Sequence, residues 1–175
     1  MSDRRSKSSR NVNVLARSSA AESFVDERDI QILSLLQGQG RISNQDLATA
    51  VNLSPSAALQ RVRRLEGFGL IDGYRADINV ERLRPILVVF AEVTLTSHFP
   101  DDFARFETEL AEIPEVSAAH QISGPYDYLL EVAVSDINSW RQLADRLLGA
   151  QLGVAKITTS VKMKTAKAFR GYPLA

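Results

Sequence analysis

One stretch of this sequence concentrates side chains that can donate hydrogen bonds to an anionic or base-bearing partner. It runs from Ser54 to Glu66 and holds one glutamine and three arginines. On a helical wheel of about 100° per residue, one face of this stretch is apolar and the opposite face is polar. The apolar face comprises Ala58, Leu59, Val62 and Leu65, and the polar side comprises Ser56, Ala57, Gln60 and Arg64, flanked by Arg61 and Arg63.

The polar side of this predicted helix suits double-stranded DNA. The Gln60 amide can pair bidentately with adenine, and the Ala57 methyl group can contact a thymine methyl. Guanidinium groups bind phosphates or guanine, and the amides at the helix N-terminus, at Ser54 and Ser56, favour a phosphate. Three residues in neighbouring segments are expected to add DNA-backbone contacts: Arg41, Ser43 and Arg75. The alternative interpretation is a solvated basic helix face.

A second polar cluster lies in a predicted turn between two strands, Ser123–Tyr128. Gly124 permits a close backbone approach or a positive φ. Asp127 can accept hydrogen bonds from an ammonium group, and free backbone amides near Gly124 can meet a carboxylate. The alternative is a tight turn in which Asp127 caps local amides and the neighbouring tyrosines pack.

Three helices and a hairpin must position the first cluster. Cap residues predict where the helices begin: Asp26, with Asp29 close to a capping box, then Ser43 and Ser54. Pro55 stands at the favoured first helical position. Asp72-Gly73 is a strong two-residue hairpin signal, with Tyr74–Ile78 as the second strand. This order predicts a winged helix-turn-helix, whose third helix enters the major groove.

The second half of the chain predicts four strands and two helices. The strands are Ile86–Thr96, Val116–Ser123, Tyr128–Val134 and Val154–Met163, and the helices are Asp101–Ala111 and Ile137–Leu148. The order βαββαβ is the ferredoxin-like pattern. The fold class is therefore α+β.

The charge distribution suggests how the chain divides. The net charge is zero, but residues 1–25 carry +3, residues 26–75 carry 0 and residues 76–175 carry −3. Such asymmetry suggests an anionic partner. We expect a disordered basic arm at 1–23, a DNA-binding domain at 24–78, a linker at 79–84, a ferredoxin-like domain at 85–165 and a tail at 166–175.

Composition argues against several classes of function. The chain has no cysteine, and its two histidines, His98 and His120, are too few for a His-rich metal site. There is no glycine-rich phosphate loop and no G-x-S-x-G elbow. No apolar run approaches the roughly 18–20 residues of a membrane span. We therefore expect no catalysis, no metal, no cofactor and no membrane partner.

The motifs in both halves resemble the leucine-responsive/asparagine-responsive regulator (Lrp/AsnC) family. In the first half they are Asp29–Leu33, Gly40–Ser43, Asp46–Ala48, Leu53–Ser56, Arg61–Glu66 and Gly69–Tyr74. In the second half they are Pro114–Val116, Ser123–Leu130 and Gly153-Val154. The resemblance covers about residues 26–165, in order and at normal spacings.

This resemblance implies a transcriptional regulator that is cytoplasmic, associated with the nucleoid and responsive to an amino acid or related metabolite. It implies a homodimer, assembling further to an octamer, on a pseudo-palindromic DNA site. The residues that it assigns to the effector pocket are Gly124, Tyr126, Asp127 and Tyr128, with His120 and Gln121 shaping the loop. Thr158, Thr159 and Ser160 are implied as the facing wall, from another subunit.

Two other functions fit the same residues. One is an architectural protein that bends or wraps DNA without any ligand. The other is a metabolite-binding module in which the helix-turn-helix serves only for packing.

Overall fold

The computed structural model describes residues 25–149 and 152–174 of the chain. The arm predicted at 1–23 lies outside these residues. The chain divides into two compact units, one ending at Asp77 and including the segment from Phe169, the other spanning Ile78–Ala168. The division falls beside the predicted end of the DNA-binding domain, and most of the predicted tail belongs to the first unit.

Three helices build the first unit. α1 spans Glu27–Gly38, α2 spans Asn44–Ala50 and α3 spans Pro55–Gly67. The three predicted caps are confirmed, because Asp26, Ser43 and Ser54 each accept a hydrogen bond from the backbone amide three residues on. The Asp26 amide also donates to Asp29 Oδ2 at 3.1 Å, which completes the capping box of α1.

The apolar faces of these helices meet in one small core. Its fully buried members are at most 2 % exposed: Ile32, Leu47, Val51 and Leu65. The turn between α2 and α3 passes through Asn52 at φ 53°, in the left-handed region that asparagine tolerates better than most residues. Leu59, predicted on the apolar face of α3, is instead 39 % exposed. It lies at the border of a face whose centre is filled by Ala58 and Leu65.

The predicted hairpin is wrong in its strands. Between α3 and Leu87, a span described throughout, there is no β-strand, and Val80–Arg82 forms a 3₁₀ turn in the predicted linker. A two-residue type I′ turn needs positive φ at both central residues, and Asp72 is not among the residues with positive φ. Tyr74 instead donates to Glu66 Oε1 at 3.0 Å, which ties the extended segment to the end of α3.

The second unit is a four-stranded antiparallel sheet with two helices. Its elements are β1 Leu87–Leu95, α4 Pro100–Ala111, β2 Val116–Gln121, β3 Tyr128–Val134, α5 Ile137–Gly149 and β4 Val154–Val161. The strand order is β2-β3-β1-β4, with antiparallel pairing throughout. This order confirms the ferredoxin-like fold. Two strands, β2 and β4, each end two residues before the predicted limit.

The sheet has one covered face and one open face. Along β1, buried Val89 and Ala91 alternate with half-buried Phe90 and Glu92. The buried set packs against α4 and α5 through Phe106, Leu110, Trp140, Leu143 and Leu147. Both helices therefore lie on one face, and no described element of this unit covers the other.

The segment after Phe169 packs against α1 in the first unit. Gln37 Nε2 donates to Tyr172 O at 2.8 Å, and Tyr172 N donates to Gln37 Oε1 at 3.1 Å. Gly171 has φ 99°, and a Cβ there would lie 1.9 Å from Gln37 Cδ. The positive φ therefore favours glycine, and a larger residue would also displace the Gln37 side chain.

Candidate nucleic-acid interface and effector loop

The turn between α2 and α3 fixes the N-terminal end of α3. Asn44 Nδ2 donates to Pro55 O at 2.8 Å, which links the two helices. Ser54 Oγ accepts from Ala57 N at 3.3 Å and lies 3.1 Å from Ser56 Oγ. Both serines are exposed. The first amides of a helix have no partner within it, so this end of α3 presents donors toward solvent.

Two of the residues predicted to contact DNA stand free on α3. Gln60 and Arg63 are exposed. No side-chain partner for either occurs among the residues that the structure describes. Ala57, one turn before, is half-buried. The donors of Gln60 and Arg63 are therefore available for base edges or phosphates.

The other two arginines of α3 are engaged within the domain. Arg61 Nη1 donates to Asp26 Oδ2 at 2.7 Å and to Asp29 Oδ1 at 2.9 Å. Arg64 Nη2 donates to Asp29 Oδ2 at 2.5 Å. Arg61 and Arg64, predicted to contact DNA, thus hold α3 against the start of α1.

Asp29 is the electrostatic centre of this arrangement. Its side chain is completely buried, whereas those of Arg61 and Arg64 are 26 % and 42 % exposed. An ionised carboxylate is buried at acceptable cost only when it is paired and hydrogen-bonded, and two guanidinium groups supply that pairing. The hydrogen bond from Arg61 also holds the pKa of Asp26 below its usual value.

Sequence reasoning missed Arg28 in the first turn of α1. Its Nη1 donates to Val51 O, and to Asn52 O at 3.2 Å. These bonds anchor the turn that precedes α3. An arginine between two acidic residues at a helix start looks like an ordinary surface residue, so no sequence signal distinguished it.

The residues predicted to contact the DNA backbone from outside α3 are exposed. Arg41 precedes α2 and Arg75 lies in the extended segment after α3. Ser43 caps α2, and its hydroxyl donates to Asp46 Oδ2 at 2.6 Å. The Ser43 oxygen is therefore committed to the cap, although the residue stays at the surface.

In the second predicted site, the Asp127 carboxylate already has partners. Its Oδ2 accepts from Leu95 N at 2.7 Å, at the β-bulge where the β1–β4 register shifts. Its Oδ1 lies 3.0 Å from His98 Nε2, on a side chain that is 60 % exposed. Asp127 therefore accepts from an amide of a different strand and not from an amide of its own turn, and His98 is a partner that the sequence did not reveal.

Tyr128 faces the core, against its prediction as a pocket residue. It is 2 % exposed, and its ring centroid lies 4.9 Å from that of Phe106. Its hydroxyl donates to Glu107 Oε1 at 2.9 Å. Burial raises the pKa of the Tyr128 hydroxyl far above its usual value, and the hydrogen bond to Glu107 makes a smaller contribution in the same direction. Strand alternation explains the orientation, because Tyr128 shares the helix-covered face with buried Leu130.

The remaining loop residues are accessible. Gly124 is exposed, and a Cβ there would meet no atom within 4 Å, while Tyr126 is half-buried. Exposed His120 and Gln121 at the end of β2 pair with Leu129 and Tyr128 of β3. Since neighbouring residues of a strand point to opposite faces, His120 lies on the open face and Gln121 on the helix side.

A single chain does not bring Thr158, Thr159 and Ser160 to the loop. They lie on β4, and β1 separates that strand from β3, at whose start the loop ends. Two strand spacings amount to about 10 Å. Thr159 Oγ1 also accepts a hydrogen bond from Trp140 Nε1 at 3.2 Å. One chain therefore does not form the predicted facing wall, and its origin in another subunit stays a prediction.

A metal-ligand cluster and a membrane-spanning helix are both absent from residues 25–149 and 152–174. No group of three or more His, Cys, Asp or Glu side chains there is arranged to hold a metal ion. No helix there is long and apolar enough to cross a membrane.

Models of known protein families match both units. Residues 25–72 match a winged helix-turn-helix DNA-binding domain. Residues 88–172 match the Lrp/AsnC ligand-binding domain. The order of the two matches is the order that the sequence motifs predicted.

Individual relatives agree with these models. The leucine-responsive regulatory protein of Escherichia coli K12 is 42 % identical over 143 residues, covering 82 % of this chain and 87 % of that protein. A Neisseria meningitidis transcriptional regulator, solved as an L-Met complex, superposes with a TM-score of 0.80 at 31 % identity, covering 86 % of this chain and 97 % of the other. An AsnC family regulator from Agrobacterium tumefaciens superposes with a TM-score of 0.79 at 29 % identity, covering 86 % of this chain and 97 % of the other. The chain belongs to the Lrp/AsnC family of DNA-binding transcriptional regulators and is not an enzyme.

Proposed function

We propose that this regulator reads duplex DNA with Gln60 and Arg63, on a helix that Arg61 and Arg64 hold in place. The observation that carries the proposal is that the polar side chains of α3 fall into two groups, one exposed to solvent and one bound within the domain. Two donors point to solvent without a described partner, and two guanidinium groups are bound to buried Asp29. Ser54, Ser56 and Ala57 bring the N-terminal end of α3 close to the DNA, while Arg41, Ser43 and Arg75 lie beside it.

We infer that two copies associate through the open face of the sheet. Cross-strand registers place Leu129 beside Glu92, and Phe90 beside Glu131. Phe90 and Leu129 are half-buried in a single chain, so a second copy would remove more of their apolar surface from water. A two-fold pair would present two copies of α3 to a pseudo-palindromic site, with half-sites about one DNA turn apart or a multiple of it. Further assembly to an octamer and action in the cytoplasm at the nucleoid are part of the same proposal.

The effector that we propose is a free amino acid or a related metabolite. The similar regulator from Neisseria meningitidis was solved in complex with L-Met. In this chain, Gly124 leaves its loop open to a ligand carboxylate. Asp127 Oδ1, whose partner His98 is mostly exposed, can accept an ammonium group once His98 swings away. Thr158 and Ser160 of another chain would complete the pocket.

DNA binding is tested with the full chain and a duplex enriched on it from a randomised pool. Fluorescence anisotropy is measured over a series of salt concentrations. The Arg63→Ala variant should bind at least about tenfold more weakly. The slope of its log binding constant against log salt concentration should be smaller in magnitude by about one. Arg61→Ala should leave the salt slope unchanged, because Arg61 is bound to two aspartates. Arg141→Ala, which removes an exposed arginine on α5, is the matched control.

The outcome separates the proposal from its alternatives. An Arg63→Ala variant that binds like Arg141→Ala, with an unchanged slope, would refute the assignment of α3. Salt-insensitive, weak binding by the unmodified chain would mean that the helix-turn-helix serves only for packing.

Effector binding is tested by thermal unfolding of the full chain in each of the common amino acids. A ligand that binds the folded state at about 100 times its Kd adds about 2.7 kcal/mol of stability and raises Tm. The proposal expects such a rise, lost in Asp127→Asn. A flat screen with DNA binding intact would favour the ligand-free architectural protein.

A further inference from the structure

A second cleft lies at the other end of the sheet from the effector loop. It has a volume of about 350 Å³ and opens where β3 ends and α5 begins. Its polar lining comprises Arg84, Glu115, Ser135, Ser139, Gln142 and Arg146. The loop precedes the first residue of β3, Tyr128, whereas the cleft includes its last residue, Val134. A seven-residue antiparallel strand extends about 20 Å, so the two sites are separate.

Glu115 gives this cleft an unsatisfied acceptor. Its Oε2 is buried and has no hydrogen-bond partner among the described residues. Its backbone is fixed, because Ala133 N donates to Glu115 O at 2.8 Å. Burying an ionised oxygen without a partner is costly. Turning the carboxylate into the cleft, toward an N–H donor of a ligand and above all toward an ammonium group, would remove that cost.

Arg84 and Arg146 supply the opposite charge. Both are exposed at the cleft, and neither pairs with a carboxylate in the described part of the chain. A guanidinium group presents a planar fork of donors that matches a carboxylate. Ser135 and Ser139 share a 2.8 Å hydrogen bond on the same wall and add polar surface.

We propose that this cleft binds a free α-amino acid with an acidic or polar side chain. The Glu115 side chain would turn its carboxylate into the cleft to bind the ammonium group, and the α-carboxylate would bind the guanidinium groups of Arg84 and Arg146. Two guanidinium groups against one carboxylate leave the cleft with a charge of +1, which favours an acidic ligand over a basic one. The volume is at the lower end of the range for small-molecule sites, about 300–1,000 Å³. The inference does not depend on the effector loop.

Isothermal titration of the full chain with L-glutamate, L-glutamine, L-lysine and inorganic phosphate tests the proposal. L-Glutamate is expected to bind and L-lysine to bind more weakly. Glu115→Gln and Arg146→Ala should each weaken L-glutamate about 10- to 100-fold, the effect of losing a hydrogen bond to a charged group. Glu112→Gln, an exposed glutamate just after α4, is the matched control. Urea unfolding of each variant shows that it is folded.

Asp127→Asn separates this site from the effector loop. L-Glutamate binding that survives Asp127→Asn but is weakened by Glu115→Gln supports the cleft, whatever the loop does. Binding that is lost in Asp127→Asn and unchanged in Glu115→Gln would overturn the cleft and leave the loop standing. Phosphate binding as tight as L-glutamate, unaffected by Glu115→Gln, would also overturn it, since the site would then be a simple anion site. The proposal would also be overturned if none of the three amino acids bound to the folded chain.

Discussion

At the residue scale, one buried carboxylate decides what the arginines of α3 do. A helical wheel groups side chains by angle, but it does not say which of them an adjacent helix will meet. Asp29 lies on α1 and reaches Arg61 and Arg64 on α3, more than 30 positions later in the chain. The sequence predicted the basic helix correctly, while the partner of its arginines depended on tertiary packing.

Replacing Asp29 should therefore destabilise the DNA-binding unit. Losing one partner of a fully buried ion pair costs about 3–5 kcal/mol. We expect roughly 2–3 kcal/mol for Asp29→Ala, because the two guanidinium groups, at 26 % and 42 % exposure, can turn to water. Urea unfolding of the full chain measures this, with Asp77→Asn, an exposed aspartate, as control. A midpoint as little changed as in the control would mean that the pairing does not hold α3.

Asp127 combines a structural role with its proposed ligand role. Leu95 N, at the β-bulge of β1, depends on Asp127 Oδ2. Asp127→Ala should lower the stability of the ligand-free chain by about 1–3 kcal/mol, the cost of an unsatisfied buried donor. Asp127→Asn keeps an acceptor oxygen and should lose less than half of that. Chemical unfolding without amino acids makes the comparison. Equal losses in the two variants would show that charge, and not the hydrogen bond, is what Leu95 requires.

At the element scale, local chemistry predicted helices well and the hairpin poorly. Caps depend on residues three apart, so Asp26, Ser43 and Ser54 fixed three helix starts from sequence alone. A hairpin needs two paired arms, and here the second arm is exposed, with Tyr74 bound to Glu66. The Asp72-Gly73 signal lacked the packing that would hold such arms together.

The cap of α1 should also respond to acid. The hydrogen bond from Arg61 sets the pKa of Asp26 below its unfolded value, about 3.9. The stability from this bond is present above that value and is lost as pH falls through the lower folded pKa. Asp26→Asn keeps a cap acceptor but loses the charge. The urea midpoint of the variant should fall less steeply than that of the unmodified chain below about pH 4. Parallel curves over that range would contradict this account.

At the scale of the whole molecule, the sequence predicted the order of elements and the loop, but not the environment of the loop. Strand alternation could have placed Tyr128 in the core. It begins β3, and every second residue after it, Leu130, Val132 and Val134, is apolar and buried. The bond from Leu95 to Asp127 joins positions 32 apart at a β-bulge, which no local pattern encodes. No local pattern encodes the unpaired oxygen of Glu115 either, because its burial depends on tertiary packing.

Glu92 and Glu131 already place two carboxylates on the open face of the sheet, next to Leu129 and Phe90. If a second copy covers this face, a third carboxylate beside Glu92 and Glu131 should separate the copies, because like charges repel and burying an unpaired carboxylate is costly. Leu129→Glu should sediment as a monomer under conditions in which the unmodified chain is a dimer. Ile137→Glu, which places the same charge at an exposed apolar position on α5, should leave the dimer intact.

DNA binding should then fall in a way that a folding defect would not produce. A dimer engages the second half-site at a high effective concentration, so separating the copies removes that gain while each α3 keeps its own contacts. Leu129→Glu should therefore lose affinity for a full palindromic duplex and keep its affinity for a single half-site. Anisotropy on the two duplexes measures both quantities. Equal losses on the two would point to damage within the DNA-binding unit, and a dimeric Leu129→Glu would place the contact between copies on another surface.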